Sequence, residues 1–590
     1  MTAPTPAPAS PSTEARKPAG QRWPAIWGPR LWALIGLALV LLLYRTWVVH
    51  HSGISLFFDE AQYWDWSRSL QWGYYSKPPV IAAIIRASTT LFGDGVIGVK
   101  MLTMLLYPAT ALAMVGLARA LWPTSSGVRT GIVAGALFLC MPMVGTMGLF
   151  ASTDAPLILC WTLAAWALWR AQVTNRFHHW VLLGIACGVG ILSKYTMAAF
   201  AITALWVLWA VHGPRRGVLR VGPWVAVLLT VLIVSPNLVW NAHNGFPTLQ
   251  HTAELTTQSE RSGGVLKLLE FLGGQLMMLG PVAIVGAAWL WWRARTVPSA
   301  PLAPGSQWAA STQVSPPSQW AHTTAMGGQS LPPGTQPERK AAARTSAYYL
   351  ASVSSYRYLW MLSLPLLGIA AVQAFMGGAH VNWAAPAMVG LTLLLASLLS
   401  APLVPLAAPR PHRWLIAILL SNVILTSLAL HARDILTDPV NPKLDVLVRM
   451  RGWDEAFRQL EPVITEPRIA GLPVLTDQRV LITQALYNWR QHKVRAFYWN
   501  PEGKRDNHYL LQHSLPNKIG PDVLLLTADP KPDEITSRFA IVRPMKSVRI
   551  EVADQRFVEV HAFFLRGFLG YNQQTYMEQS GGSAPVLDTP

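Results

Sequence analysis

The chain has 590 residues, of which 52% are hydrophobic and 13% charged, and its mean hydropathy is +0.30. A soluble protein carries about 25% charged residues, so the composition excludes an ordinary globular enzyme and indicates a multi-span membrane protein with a soluble part attached. The net charge of +18 does not point to nucleic acid, because the basic residues gather in short loops between apolar segments, as membrane topology requires.

Residues 1–29, rich in Pro, Ala, Ser and Thr with Arg16, Lys17 and Arg22, are predicted to form a disordered cytoplasmic tail. No small-residue cleavage site follows the first apolar run, which is therefore expected to stay as an anchor. A span needs about 20 apolar residues. Segments near 30–49, 97–120, 131–150, 155–171, 180–193, 195–211, 221–240, 271–292, 358–376, 382–401 and 414–431 qualify, about 11 in all. With the N-terminus inside, cytoplasmic loops carry Arg129; Arg170 and Arg176; Arg215, Arg216 and Arg220; Arg293, Arg295, Arg339, Lys340, Arg344 and Arg357; and Arg410 and Arg413. The opposite loops, near Asp154, Lys194 and Gly377, are almost free of cations, which supports this orientation.

The transmembrane domain is thus predicted at 30–431, with an outer loop at about 50–96 and a disordered cytoplasmic loop at about 297–345. From 432 the pattern changes. Strands are expected at 472–476, 494–498 and 522–526, a helix at 480–489, and a hairpin from 548–552 and 557–560. Alternating helix and strand signals predict a small extracytoplasmic α/β domain over 432–578, followed by a disordered tail at 579–590. Cys140, Cys160 and Cys187 lie inside apolar segments and have no zinc-binding spacing. His508, His513 and His561 are spaced too irregularly for a metal site.

The chemistry gathers at the outer ends of the spans. Asp59 and Glu60 stand among Phe57, Phe58, Tyr63 and Trp64 just after the first span, and ionised groups at such a depth are costly. They suit a general base, or they cap a short helix beginning at Ala61. Lys77, held by Pro78 and Pro79 after Tyr74, Tyr75 and Ser76, suits a phosphate as a point charge, or it snorkels to the interface. Asp154, in the short turn before Pro156, is either a second carboxylate of the same vestibule or a helix cap. Lys194 is positioned to neutralise Asp154, to contact a lipid phosphate, or simply to anchor a span end. Asn241, His380 and Asn382 suit sugar hydroxyls but are also ordinary interfacial residues.

Taken together, DEAQYWDW, YYSKPP, STDAP, GILSKYT, SPNLVWNAHNGF and HVNWAAPA, in that order over roughly 30–400, resemble the polytopic glycosyltransferases that use a polyprenyl-phosphate sugar. This is the GT-C fold family containing protein O-mannosyltransferases and the aminoarabinose transferase that modifies lipid A. The resemblance implies a GT-C-like helical membrane protein that inverts the anomeric carbon at the outer face of a bacterial inner membrane. It implies an undecaprenyl-type monophosphate sugar donor, membrane lipids as surroundings, and an envelope acceptor that is lipid A, a protein or a glycan. It makes Asp59 the catalytic carboxylate, Asp154 the second acidic position and Lys77 the donor-phosphate residue, with Lys194 assisting and Glu60, Tyr63 and Tyr75 near substrate. The lipid A enzyme has an acidic metal-binding residue where this chain has Ser76, so no cofactor is expected and a divalent metal gains no support. A lipid-linked sugar transporter is the alternative. It would favour ionisable residues in mid-span or broken helices in two matching halves, and no strong internal repeat is visible. A receptor or assembly factor, the third class, would need a site in the C-terminal region, where none is evident.

Overall fold

The computed structural model describes residues 28–123, 125–213, 219–248, 250–251, 263–296, 355–400, 411–436 and 441–572. Nearly all of the 1–29 tail, the 297–345 loop, the 579–590 tail and the basic residues Arg215, Arg216, Arg339, Lys340, Arg344 and Arg410 lie outside the described residues.

The chain opens with α1 (Pro29–His51). Two helices follow on one end of the bundle, α2 (Phe58–Arg68) and α3 (Val80–Phe92). Next come α4 (Val96–Leu121), α5 (Ser125–Cys140), α6 (Pro142–Met147), α7 (Asp154–Thr174) and α8 (Phe177–Ser193). A 3-10 turn at Tyr195–Ala199 leads into α9 (Phe200–His212), and α10 (Val221–His243) follows. The bundle is completed by α11 (Val265–Leu279), α12 (Pro281–Thr296), α13 (Ser355–Gly377), α14 (Ala387–Ser400) and α15 (Pro411–Leu430).

Six of the described helices are long and apolar enough to cross a membrane, or seven if one bent pair counts as a span. Three shorter apolar helices, Ser125–Cys140, Phe177–Ser193 and Ala387–Ser400, coincide with expected segments; a fourth, Val80–Phe92, lies in the 50–96 loop where none was predicted. Two expected spans are not single helices. In 131–150, α5 stops at Cys140, because Pro142 pushes Met141 out of helical geometry (φ −59°, ψ 135°). In 271–292 the path turns by 85° between α11 and α12. Gly280 there has φ +98°, a conformation glycine adopts freely, and Pro281 cannot donate the hydrogen bond that would continue the helix.

Leu228 and Leu232 on α10 are 59% and 56% exposed, and Ile424 on α15 is 56% exposed. Apolar surface on this scale indicates that lipid rather than water covers these faces. Helices α8 and α10 approach closely through small residues. A Cβ added at Gly184 would lie 2.7 Å from the Ala226 carbonyl oxygen and 2.8 Å from Leu229 Cβ, the close contact that membrane helices use in place of a hydrophobic drive.

Beyond the bundle, α16 (Trp453–Ile464), β1 (Val474–Thr476), α17 (Arg479–Asn488), β2 (Ala496–Tyr498), α18 (His508–Gln512), β3 (Val523–Thr527), β4 (Phe539–Ala553) and β5 (Arg556–Phe568) follow in chain order. The sheet order is β2-β1-β3-β5-β4, with β1 parallel to β2 and β3 and the β4–β5 hairpin antiparallel. All five residues of β3 are buried, as a central strand covered on both faces requires. Leu524 and Leu526 face α16 and α17, with Phe457, Ile482 and Trp489. Val523 and Leu525 face Trp499, Leu565 and Phe568. The hairpin is much longer than predicted.

This domain docks on the outer helices through α17, which packs on α2. Gln484 donates to the Leu56 carbonyl (2.9 Å), Tyr487 to the Asp94 carbonyl (3.2 Å) and Tyr509 to Asp65 (3.1 Å). Arg451 donates to the Ser52 carbonyl at 2.8 Å. Gly184→Leu would overpack the α8–α10 contact, and a loss of about 1–3 kcal/mol is expected. A lowered thermal midpoint of the detergent-solubilised protein measures it; an unchanged midpoint would show that the helices do not meet there.

Candidate active site

The site begins with a buried carboxylate. Glu60, at the third position of α2, accepts hydrogen bonds from the Phe57 backbone N–H (2.8 Å) and from the Ala151 N–H (2.7 Å). The Lys100 ammonium of α4 donates to Glu60 Oε1 (2.6 Å), to Oε2 (2.5 Å) and to the Leu149 carbonyl (3.0 Å). Both side chains are cut off from solvent, 0% exposed for Lys100 and 2% for Glu60. A carboxylate with four such contacts has no acceptor capacity left over. Glu60, expected near substrate, is therefore a structural tie. It also closes the N-terminus of α2, with Phe57 at the cap, so Asp59 does not cap a helix beginning at Ala61.

This tie joins the segment before Asp59 to the segment before Asp154, and both lead into one cavity of about 940 Å³. Such a volume suits a drug-sized or larger ligand. Among the predicted residues, Asp59, Tyr63, Lys77, Asp154, Lys194, His380 and Asn382 lie on its wall, with Ser76 and an edge of Glu60. Tyr75 and Asn241 do not. Tyr75 is buried with its ring against His251, centroids 5.3 Å apart. Asn241 is buried on α10 and donates to the Asn237 carbonyl at 3.0 Å. Asn237 in turn donates to the Trp72 carbonyl (2.7 Å) and accepts from Tyr195 (2.8 Å). These amides brace the loop that carries Lys77, which is why they face the protein and not the cavity.

The two aspartates are engaged differently. Asp154 accepts from Lys194 on one oxygen (2.7 Å) and from Asn382 on the other (2.9 Å), and its side chain is 4% exposed. Asp59 uses one oxygen, Oδ1, in an ion pair with Arg479 of α17. Its Oδ2 makes no protein hydrogen bond among the described residues. The Lys77 ammonium likewise makes no ion pair within 4 Å among them. Burial, reinforced by the Lys194 ammonium, pushes the Lys77 pKa below the ordinary lysine value, while Asp59 and Asp154 pull it back. The neighbouring Lys194 ammonium is paired with Asp154, which leaves Lys77 as the lining ammonium without an ion pair among the described residues. Burial, with Lys77 and Arg479 adding to it, lowers His251 to about 4, so this wall residue is neutral at physiological pH. Tyr63 is raised well above its ordinary value, by burial first and by Asp59 next, and stays protonated.

Two features had no motif in the sequence. Lys100 is a cation near the start of an apolar span, with no motif around it. Arg479 lies in the C-terminal region, where no site was expected, 420 residues from Asp59. Ser76 lines the cavity where the resemblance puts an acidic metal ligand, both Asp154 oxygens are taken, and no group of three His, Cys, Asp or Glu able to hold a metal occurs among the described residues. This donor set does not fit a divalent ion.

Residues 76–240 match the family described as dolichyl-phosphate-mannose-protein mannosyltransferase. The chain is 26% identical to the lipid A galacturonosyltransferase RgtD of Rhizobium johnstonii over 83% of this chain and 90% of that one. It is 28% identical to the undecaprenyl phosphate-alpha-4-amino-4-deoxy-L-arabinose arabinosyl transferase of Erwinia tasmaniensis, over 36% of this chain and 35% of that one, so only about a third of that relative is spanned. Its fold is similar to the crystal structure of ArnT from Cupriavidus metallidurans, with TM-scores of 0.56 for the apo state and 0.55 for the form bound to undecaprenyl phosphate. Those alignments are 13% and 15% identical and cover 90% and 91% of this chain and 97% and 98% of ArnT. By these likenesses the chain is a multi-pass membrane glycosyltransferase of the GT-C fold, with a small C-terminal sheet domain.

Lys100→Met would strand the Glu60 charge in the interior, and a loss of about 3–5 kcal/mol is expected. Glu60→Gln combined with Lys100→Met should recover much of it, because no charge is then buried. Thermal midpoints of the three proteins decide, and equal midpoints for wild type and Lys100→Met would refute the tie.

Proposed function

We propose that the chain moves a sugar from a polyprenyl monophosphate, undecaprenyl phosphate, to lipid A at the periplasmic face of a bacterial inner membrane. Its N-terminus is then cytoplasmic and its C-terminal domain periplasmic. The observation that carries this reading is one cavity that holds an ammonium, Lys77, and a carboxylate, Asp59, the first without an ion pair and the second with one oxygen free of hydrogen bonds among the described residues. Lipid A is preferred over a protein or glycan acceptor because RgtD, the relative matched over most of both chains, is a lipid A transferase by name, and the undecaprenyl phosphate carrier follows the name of the Erwinia relative.

The donor phosphate sits against Lys77, with the remaining N–H groups of Lys194 as a second contact. The lipid chain leaves through an apolar groove of about 380 Å³ between α8, α9 and α10, lined by Trp180, Phe200, Leu205, Trp224 and Val227. Ala198 lines both this groove and the polar cavity, so the tail groove adjoins the headgroup cavity. Asp59 Oδ2 accepts the proton of the acceptor hydroxyl. The acceptor oxygen bonds to the anomeric carbon, the carbon–phosphate oxygen bond breaks, and the electron pair leaves on the polyprenyl phosphate. A single displacement of this kind inverts the anomeric centre. Lys77 acts most strongly as the leaving phosphate gains charge, where a preorganised cation contributes most. Asp154, with both oxygens engaged, holds Lys194 and Asn382 in place and does not take the proton.

Asp59→Asn should retain donor binding and lose about 10²–10⁴-fold in transfer, read by mass spectrometry of product after reconstitution with a labelled polyprenyl-phosphate sugar. Normal turnover in the folded variant would remove Asp59 from the chemistry. Lys77 has a depressed pKa and binds phosphate only when charged, so donor affinity should fall as pH rises, starting below the range of an ordinary lysine. Lys77→Arg keeps its charge there and should flatten the alkaline loss. Parallel pH curves for the two proteins would dissociate Lys77 from the phosphate.

A further inference from the structure

Arg479 is the first residue of α17. Asp477, the acid nearest to it in sequence, accepts from Thr527 at 3.1 Å on Oδ2, and its buried Oδ1 has no hydrogen-bond partner among the described residues. The Arg479 guanidinium instead leaves its own domain, lies 4.7 Å from the Phe58 ring centroid and pairs with Asp59 Oδ1. The two side chains are 32% and 38% exposed, and an ion pair so open to solvent adds little to stability. The docking of α17 on α2 has other holds in Gln484 and Tyr487. Fold stability therefore leaves the Arg479–Asp59 pair unexplained, whereas its place at the cavity-lining aspartate that keeps one oxygen free of hydrogen bonds among the described residues accounts for it.

We propose that the C-terminal domain completes the transfer site by supplying Arg479 as the positioning residue of Asp59. It rests on the proposed role of Asp59 as the proton acceptor. The guanidinium fixes one carboxylate oxygen, so that the other is the one presented at the cavity wall. The groups facing Asp59 divide cleanly. Tyr63 and Glu60 lie on its own helix, and Glu60 is already committed to Lys100. The loop before α3 brings Lys77, and the ends of α7 and α8 bring Asp154 and Lys194, which pair with each other. Arg479 alone among the described residues is ion-paired with Asp59. The transition state of glycosyl transfer resembles an oxocarbenium ion, so the hydroxyl proton leaves late and the accepting oxygen has to be in place when it does.

The test compares wild type, Arg479→Gln, Arg479→Lys and Asp59→Asn, each full length and reconstituted with the labelled polyprenyl-phosphate sugar and a lipid A acceptor. In Arg479→Gln, kcat should fall about tenfold to hundredfold, the cost of a misplaced catalytic group. Donor KM should stay within about twofold, because the donor phosphate contact is untouched. Arg479→Lys should restore kcat in part. Wild-type kcat in Arg479→Gln would overturn the proposal. So would a loss that tracks the thermal midpoint or donor KM, with no recovery in Arg479→Lys, because that pattern belongs to a structural contact. Asp59→Asn separates the two levels: full activity there defeats the base itself, while an inactive Asp59→Asn beside an unaffected Arg479→Gln defeats only the inference about Arg479.

Discussion

The buried ion pair between Glu60 and Lys100 is the constraint on which the rest of the site depends. Removing two charges from solvent is costly unless attraction and hydrogen bonding compensate. Here the compensation is complete: the carboxylate accepts from an ammonium and from two backbone N–H groups, and the ammonium also reaches the Leu149 carbonyl. One carboxylate thereby fixes the start of α2, the turn before Asp154 and the upper part of α4 relative to one another. Asp59 and Asp154 stand at opposite ends of that tie, so the wall of the cavity inherits its geometry from an interaction that never touches the ligand.

Around this frame the charges are apportioned by their partners. Three acidic residues reach the cavity, and each has a different degree of commitment. Glu60 is saturated, Asp154 is shared between Lys194 and Asn382, and Asp59 keeps one oxygen unused. On the cationic side Lys194 and Arg479 are paired, and Lys77 is the lining cation without an ion pair among the described residues. The uncompensated charge is a single positive one, which matches a lipid phosphodiester carrying a single negative one. A separate apolar groove lies beside α9 and shares Ala198 with the wall of the polar cavity.

Much of this was legible in the sequence, for a definite reason. A charge at the end of an apolar span is conspicuous, and Asp59, Lys77, Asp154, Lys194, His380 and Asn382 stood out on that ground; the structure places all six on one wall. Partnership was not legible. Nothing near Glu60 shows that it is met by Lys100 forty residues on, and nothing near Arg479 points back to Asp59. Asn241 and Tyr75 read as binding residues because polar and aromatic groups at an interface have the same composition whether they face a ligand or brace a loop. Helix continuity failed at single positions, Gly280-Pro281 and Met141-Pro142, where backbone geometry overrides a run of apolar side chains. The α/β character of the C-terminal region came from strand patterning, whereas the contact of its Arg479 with Asp59 is a property of docking alone.

The most direct measurement is an electron cryo-microscopy structure of the inactive Asp59→Asn protein with the intact polyprenyl-phosphate sugar bound. The phosphate is expected within hydrogen-bonding distance of Lys77 Nζ, the lipid chain along α9, and the anomeric carbon open to the side of the cavity that carries residue 59. A phosphate seated away from Lys77, or a sugar whose anomeric carbon is turned from that wall, would contradict the assignment of this cavity as the place of transfer.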